Sequence, residues 1–434
     1  MTAEYGSQAI SRSGPAVLPL YRVQAAAIWL MMASSFFVRF EPAPCDLFFA
    51  IAVLFYLAGG LTVTVIVAPM ILYLLLYNLG AFMSFLQVQD EPRADMFVIT
   101  SCYMAAAAIF LSFYVQNDTA HRFAIFKNGY IIGAVIASVI GLIGYFDVGG
   151  TGAYLSPIQR AQGFFKDPNV LSTFLILPAV LMTQDVMLGT AKWRKLRYIG
   201  LLTVTACLFL AFSRGAWVNF AAAVMLMVIF TYILTPSPQL RTRIILLAIG
   251  GMALMTVMLV GLLSIDTVKA AFEDRATLAK DYDSGEFGRF GNQLNSLPLL
   301  LERPFGLGPT MFGKYFKLDP HNVYINAFSS YGWLGGIAYM LMIVSTVIVG
   351  FKGMLIRTPW QGAAIAVFCT FLATAFQGVQ IDTDHWRHFY WMLGLAWGLY
   401  AASVTYLART QNRQTGDRMV GATGFEPATP IPPE

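Results

Sequence analysis

Charge is what this chain has least of. Only 12% of its 434 residues are Asp, Glu, Lys or Arg, against about 25% in a soluble globular domain. Combined with 57% hydrophobic residues and a mean hydropathy of +0.64, that deficit excludes an ordinary soluble fold. No run of five basic residues occurs, and no basic stretch interleaves with aromatics. The formal net charge of +5 therefore does not describe a nucleic-acid surface, and no nucleic-acid partner is expected. Cysteine is also scarce. Cys45, Cys102, Cys207 and Cys369 show neither CxxC nor metal-ligand spacing, and they read as buried small hydrophobes. The pair His385 and His388 has i, i+3 spacing, but it lies among Asp382, Asp384, Trp386 and Arg387. That setting reads as a polar helix cap, and neither a metal nor another cofactor is expected. A cleaved signal peptide is not expected either, because the first apolar run leads into Arg39-Phe40-Glu41 and further apolar runs.

Apolar runs are what the chain has in abundance. Twelve stretches are candidate membrane helices, near 22–39, 46–60, 62–86, 96–116, 128–146, 169–187, 198–212, 215–234, 244–264, 322–350, 361–380 and 389–407. The fold class expected is an all-α polytopic membrane protein, with about 12 transmembrane helices and one large, partly helical periplasmic loop. With the N-terminus inside, the cytoplasmic segments hold 15 Lys/Arg against 6 Asp/Glu, and the outer segments 13 against 17. That bias matches the excess of Lys and Arg on the cytoplasmic side. The expected organisation is a cytoplasmic N-terminal segment at 1–21, transmembrane helices 1–9 over 22–264, the large periplasmic loop at 265–321, transmembrane helices 10–12 over 322–407, and a disordered cytoplasmic tail at 408–434. Within the loop, Val268, Ala271, Phe272, Arg275, Leu278, Ala279 and Tyr282 approximate a 3.6-residue period and predict one short helix at the membrane surface. The glycines and prolines of 303–309 predict a turn.

Setting aside the inner-face anchors leaves a small ionisable set on the outer side. Arg160 precedes the sixth span, Arg214 sits in the tight Phe212-Ser213-Arg214-Gly215 hairpin, Arg289 lies in the large loop, and His321 closes that loop. A single arginine at a helix end is more often a partner for headgroups or carboxylates. A lone histidine is more often structural than catalytic. Together, however, three guanidinium forks suit phosphate or pyrophosphate oxygens. An imidazole beside them is able to take a proton from an attacking hydroxyl.

Five motifs occur in order: Arg160-Ala-Gln-Gly-Phe-Phe-x-Asp167-Pro-Asn169, Phe212-Ser-Arg214-Gly, Arg303-Pro-Phe-Gly-Leu-Gly-Pro-x-x-Phe, His321-Asn322-x-Tyr324 and Gly332-x-Leu-Gly. With these the chain resembles the bacterial O-antigen ligase and polysaccharide polymerase superfamily, from Arg160 to about Gly350. The resemblance implies a metal-independent glycosyltransferase of the bacterial inner membrane with its active site facing the periplasm. Its donor would be an undecaprenyl-diphosphate-linked glycan, and its acceptor a lipid A core or a growing glycan. By the same resemblance Arg160, Arg214 and Arg289 would bind the diphosphate, and His321 would act as or support the base. Asn322, Asp167 and Asn169 would support the site. The Asp382 to His388 loop is similar to one carried by some exopolysaccharide-polymerase-like members and receives no catalytic role. A flippase of lipid-linked oligosaccharide and a structural partner in an export complex are the alternative readings. A flippase predicts charges along a path through the bundle, whereas these gather at one face.

Overall fold

The structure, a computed structural model, describes residues 20–190, 193–276 and 288–422, without the side chains of 274–276, 289 and 413–422. All regular structure among the described residues is helical. The chain begins with α1 (Leu20–Ala33), α2 (Pro44–Gly59), α3 (Ala68–Phe85), α4 (Ala94–Tyr114) and α5 (Thr119–Tyr145). A short α6 (Gly152–Leu155) precedes α7 (Pro168–Phe174) and α8 (Ile176–Leu188), then α9 (Arg194–Leu210), α10 (Arg214–Leu234) and α11 (Pro238–Leu263). Three small helices follow, α12 (Asp266–Ala276), α13 (Arg289–Glu302) and α14 (Phe312–Phe316). Long helices close the chain: α15 (Val323–Leu355), α16 (Gln361–Gln377) and α17 (Arg387–Ala422).

Each of the twelve apolar stretches contains a helix. Among the described residues, eight helical segments are long and apolar enough to cross a membrane, α7 and α8 counting as one. Three others, α1, α2 and α16, are apolar but only 14, 16 and 17 residues long. At 1.5 Å per residue, even the longest of these falls short of a hydrocarbon core about 30 Å thick. Helix starts follow local chemistry. Asp167 caps α7 and Ser237 caps α11, each followed directly by a proline whose missing N–H costs nothing in a first turn.

Burial sorts the helices into layers. The α7–α8 segment is mostly buried at the centre, while α11 buries only Ile244. An apolar helix so exposed presents its face to hydrocarbon, as a membrane fold permits. Contacts between loops define two ends. At one, Val38 N–H donates to Phe164 (3.3 Å), Lys166 pairs with Glu41 (2.9 Å), Gln87 donates to the Phe305 carbonyl (3.0 Å) and Lys314 pairs with Glu91. At the other, Lys127 pairs with Asp185 (2.8 Å), Arg243 donates to the Val186 carbonyl (3.0 Å), and Trp360 donates to Ser403 (2.9 Å).

The chain departs from its sequence reading in four places. Helix α5 begins at Thr119, nine residues before the apolar run at 128–146, because its first turns are amphipathic. The large loop holds α13 and α14 besides the one helix expected. Helix α17 continues to Ala422, through residues predicted as a disordered tail, since no proline interrupts it before Pro427. Cys102 is exposed on α4, unlike the other three cysteines.

Helix α15 is broken where it meets the large loop. Gly332 adopts φ +66°, ψ −172° inside it. The turn at 303–309 fills the break: Leu307 N–H donates to the Ser329 carbonyl (2.7 Å), and Trp333 N–H donates to the Pro304 carbonyl (2.8 Å). Backbone groups freed by the break thus find partners, which membrane depth demands. A Cβ at Gly332 would lie 2.7 Å from the Pro304 oxygen.

Candidate active site at one end of the bundle

Arg160 is buried, 8% exposed, in the segment joining α6 to α7. Its Nε donates to the Ala211 carbonyl (2.7 Å) and its Nη2 to Asn169 Oδ1 (2.9 Å). Asp167, the cap of α7, in turn accepts from the Asn169 N–H. The acid therefore orders the amide, and the amide holds the guanidinium. Ala211 lies three residues before Arg214, which opens α10 after Phe212 (φ +47°) and Ser213. Arg160 and Arg214 consequently flank one tight turn.

The next link is the end of α16. A Cβ at Gly215 would meet Gln377 Nε2 at 3.3 Å and Gln380 Oε1 at 3.5 Å. Gln377 also accepts from Asn219 on α10 and donates to Thr173 (3.2 Å) on α7. One residue on, the Gly378 carbonyl accepts from the Val323 N–H (2.8 Å), two residues after His321. The 377–382 turn thus bridges the Arg214 side to the His321 side.

His321 is exposed, and its backbone is left-handed at φ +44°. Asp382 fixes that conformation: its Oδ2 accepts from the His321 N–H and its Oδ1 from the Asn322 N–H, both at 3.1 Å. Asn322 caps α15 by accepting from Tyr324 (3.0 Å) and Ile325 (3.2 Å) N–H groups. The side chain of Arg289 lies outside the described residues. Its backbone begins α13, and one turn later Gln293 donates to the Pro320 carbonyl (2.8 Å), next to His321.

Beside His321 opens a cavity of about 530 Å³ whose lining includes Asp319, Asp382, Asp384, Asn326 and Ser330. Asp384 is buried at 3% exposure and accepts from Asn326 Nδ2 (3.0 Å) and Tyr331 Oη (3.3 Å). His385 Nδ1 lies 3.1 Å from the same carboxylate, and its Nε2 lies 3.1 Å from the Phe97 carbonyl. Two acceptors face the two ring nitrogens, an arrangement that only the doubly protonated ring satisfies fully. Burial is the largest influence and opposes that charge, but Asp384, the Phe97 carbonyl and Asp382 together raise the His385 pKa. Burial, then the Asp384 and Asp319 carboxylates, pushes Asp382 up to about 8 against the pull of its two N–H donors.

The loop read as a polar cap therefore does more than cap α17. Arg387 grips Asp46 with Nε and Nη2 (2.9 and 2.8 Å), tying α17 to α2, while His388 is buried beside Phe174 and Trp386. The contact between Asp382 and the His321 backbone was not legible in sequence. Asn326 and Ser330 carried a usable signal, a polar pair at i, i+4 in an apolar helix, where such groups are costly.

No curated protein matches the chain. Residues 199–340, about a third of it, match the model of a family described as O-Antigen ligase. The match includes Arg214, Arg289 and His321 and begins after Arg160. Members of that family are glycosyltransferase-like enzymes of bacterial membranes that act on lipid-linked glycans. It is this segment, with its apolar helices around it, that makes the chain similar to the O-antigen ligase-like superfamily.

Proposed function

We propose that this protein transfers a glycan from an undecaprenyl-diphosphate carrier to a sugar hydroxyl at the periplasmic face of the inner membrane, as an O-antigen ligase or polymerase. The observation that carries the reading is the linkage from Arg160 to the Ala211 turn that opens α10, from Asn219 of α10 to Gln377, and from Gly378 to the His321 turn, at one end of the bundle. Guanidinium groups beside a single imidazole suit a diphosphate leaving group and a hydroxyl nucleophile. His321 takes the proton of the acceptor hydroxyl. The acceptor oxygen bonds to the anomeric carbon as the bond from that carbon to the diphosphate oxygen breaks, and the electron pair leaves on the diphosphate. Direct displacement inverts the anomeric centre. Arg160, Arg214 and Arg289 stabilise the departing charge, and Asp167, Asn169 and Asn322 hold the first guanidinium and the histidine turn.

Purified protein in liposomes, with added donor and acceptor, tests this. Bond formation is expected, unaffected by EDTA, and His321→Ala should abolish it while leaving protein level and donor binding nearly intact. Donor translocation without bond formation would mark a flippase instead. Surface polysaccharide from a deletion strain separates the two transferase types. Carrier-linked polymer accumulates if a ligase is lost, and single repeats remain if a polymerase is lost.

A further inference from the structure

The two halves of the candidate site meet at the last turn of α16. On the arginine side they meet through one side chain. Gln377, 6% exposed, accepts from Asn219 of α10 and donates to Thr173 of α7 (3.2 Å). Thr173 lies one turn after Asn169, which holds the Arg160 guanidinium. Asn219 lies on the helix that Arg214 opens, and the Gln377 amide sits against Gly215, where a Cβ would meet its Nε2 at 3.3 Å. On the histidine side they meet through backbone. Carbonyls at a helix C-terminus are short of donors, and two here accept from α15. Ala375 accepts from the Tyr324 hydroxyl (2.7 Å) and Gly378 from the Val323 N–H (2.8 Å). Asp382, four residues further on, holds the His321 turn.

An apolar residue at 377 would pack the same three helices, and hydrogen bonds between membrane helices add little strength. What such a bond adds to packing is a fixed direction and distance. Asn219 depends on it in particular. Among the described residues its Nδ2 reaches Gln377 and Thr374 (3.2 Å), both on α16, and its Oδ1 has no partner. Without the Gln377 amide, α7 loses its polar tie to α16 and α10 keeps only the weaker contact to Thr374.

We propose that Gln377 is a positioning residue for the transfer step. It sets α7 and α10, which hold Arg160 and carry Arg214, in register with the turn that carries His321. The inference rests on the transferase reading, in which the leaving diphosphate and the attacking hydroxyl line up across the anomeric carbon. A shift of about 1 Å between such groups costs roughly a hundredfold in rate, while each side still binds its own ligand.

The test uses full-length protein in liposomes, with lipid-linked glycan and acceptor extracted from a deletion strain, and undecaprenyl diphosphate as the binding probe. Gln377→Leu keeps the volume and removes the hydrogen bonds. Its rate at saturating extract should fall roughly tenfold or more, while the Kd for undecaprenyl diphosphate changes by less than about threefold. Gln377→Asn shortens the amide and should also lose rate. Adding Asn219→Gln, which lengthens the facing amide, should return the rate to within about threefold of the wild type, a recovery that general destabilisation does not produce. Spin labels on cysteines at Val218 and Leu318, both exposed, read the geometry directly. The distance between them should shift or broaden in Gln377→Leu. A near wild-type rate in Gln377→Leu, an equal loss of undecaprenyl diphosphate binding, no recovery in the swap, or an unchanged distance would each overturn the proposal. If Gln377→Leu fails to fold, the swap and its two single variants decide. If the wild type forms no bond, the transferase reading falls and this role with it; transfer by the wild type without response to these variants removes only the role of Gln377.

Discussion

At the scale of single residues, what the structure adds about His321, the proposed base, is how its backbone is held. A non-glycine residue at φ +44° sits in a sparsely populated region that costs on the order of 1–3 kcal/mol. It persists because Asp382 accepts both neighbouring N–H groups. Removing that acceptor in Asp382→Ala should lower kcat by roughly a hundredfold, as misplacement of a reacting group does. Donor binding at the arginines should change little. The same carboxyl makes stability depend on pH. Its folded pKa is raised from 3.8 to about 8, so its contribution is complete below about 4 and is lost as pH rises through about 8. His385 acts in the same direction, since its folded pKa is raised above 6.5 and its contribution fades as pH climbs past that value. The melting temperature in detergent should therefore fall between pH 6 and pH 9. Asp382→Asn should flatten the slope, and an unchanged slope would count against this assignment.

At the scale of elements, the break in α15 explains two motifs together. The 303–309 turn and Gly332 are partners, because the turn supplies the hydrogen bonds that the broken helix lacks. Gly332→Ala places a Cβ at 2.7 Å from the Pro304 oxygen at φ +66°. It should destabilise the fold by about 1–3 kcal/mol, read as a lower melting temperature. Gly251→Ala, where a Cβ meets nothing within 4 Å, is the control and should not destabilise. Arg387→Ala should cost about 3 kcal/mol, because it strands Asp46 with its charge largely buried. The sequence made the helices and the 303–309 turn readable, since apolar runs and Gly-Pro clusters are local signals. It did not show the break, because Gly332 lies within a long, mostly apolar stretch and its partner is a turn some 25 residues earlier. Helix α13 escaped for a similar reason: Pro298 lies inside it, and its polar amides mask the apolar side. The grip of Arg387 on Asp46 spans 341 positions and leaves no local trace.

At the scale of the whole molecule, the sharing of ends by loops and the charge bias speak to the same question. The end that carries Arg160, Arg214 and His321 gathers the segments in which acids outnumber bases, and the opposite end carries the basic anchors, with Lys127 and Arg197 around Asp185. Positive charge near span ends is retained in the cytoplasm, so the candidate site should face the periplasm. Single cysteines in a background where the four native cysteines are replaced by serine provide the check. Leu318→Cys, exposed in the large loop, should react with a membrane-impermeant maleimide in cells whose outer membrane alone is permeabilised. Arg357→Cys, exposed between α15 and α16, should react only after the inner membrane is opened. Reversed labelling would place His321 in the cytoplasm, where a periplasmic glycan acceptor is out of reach, and would remove the proposed reaction whatever the site's geometry.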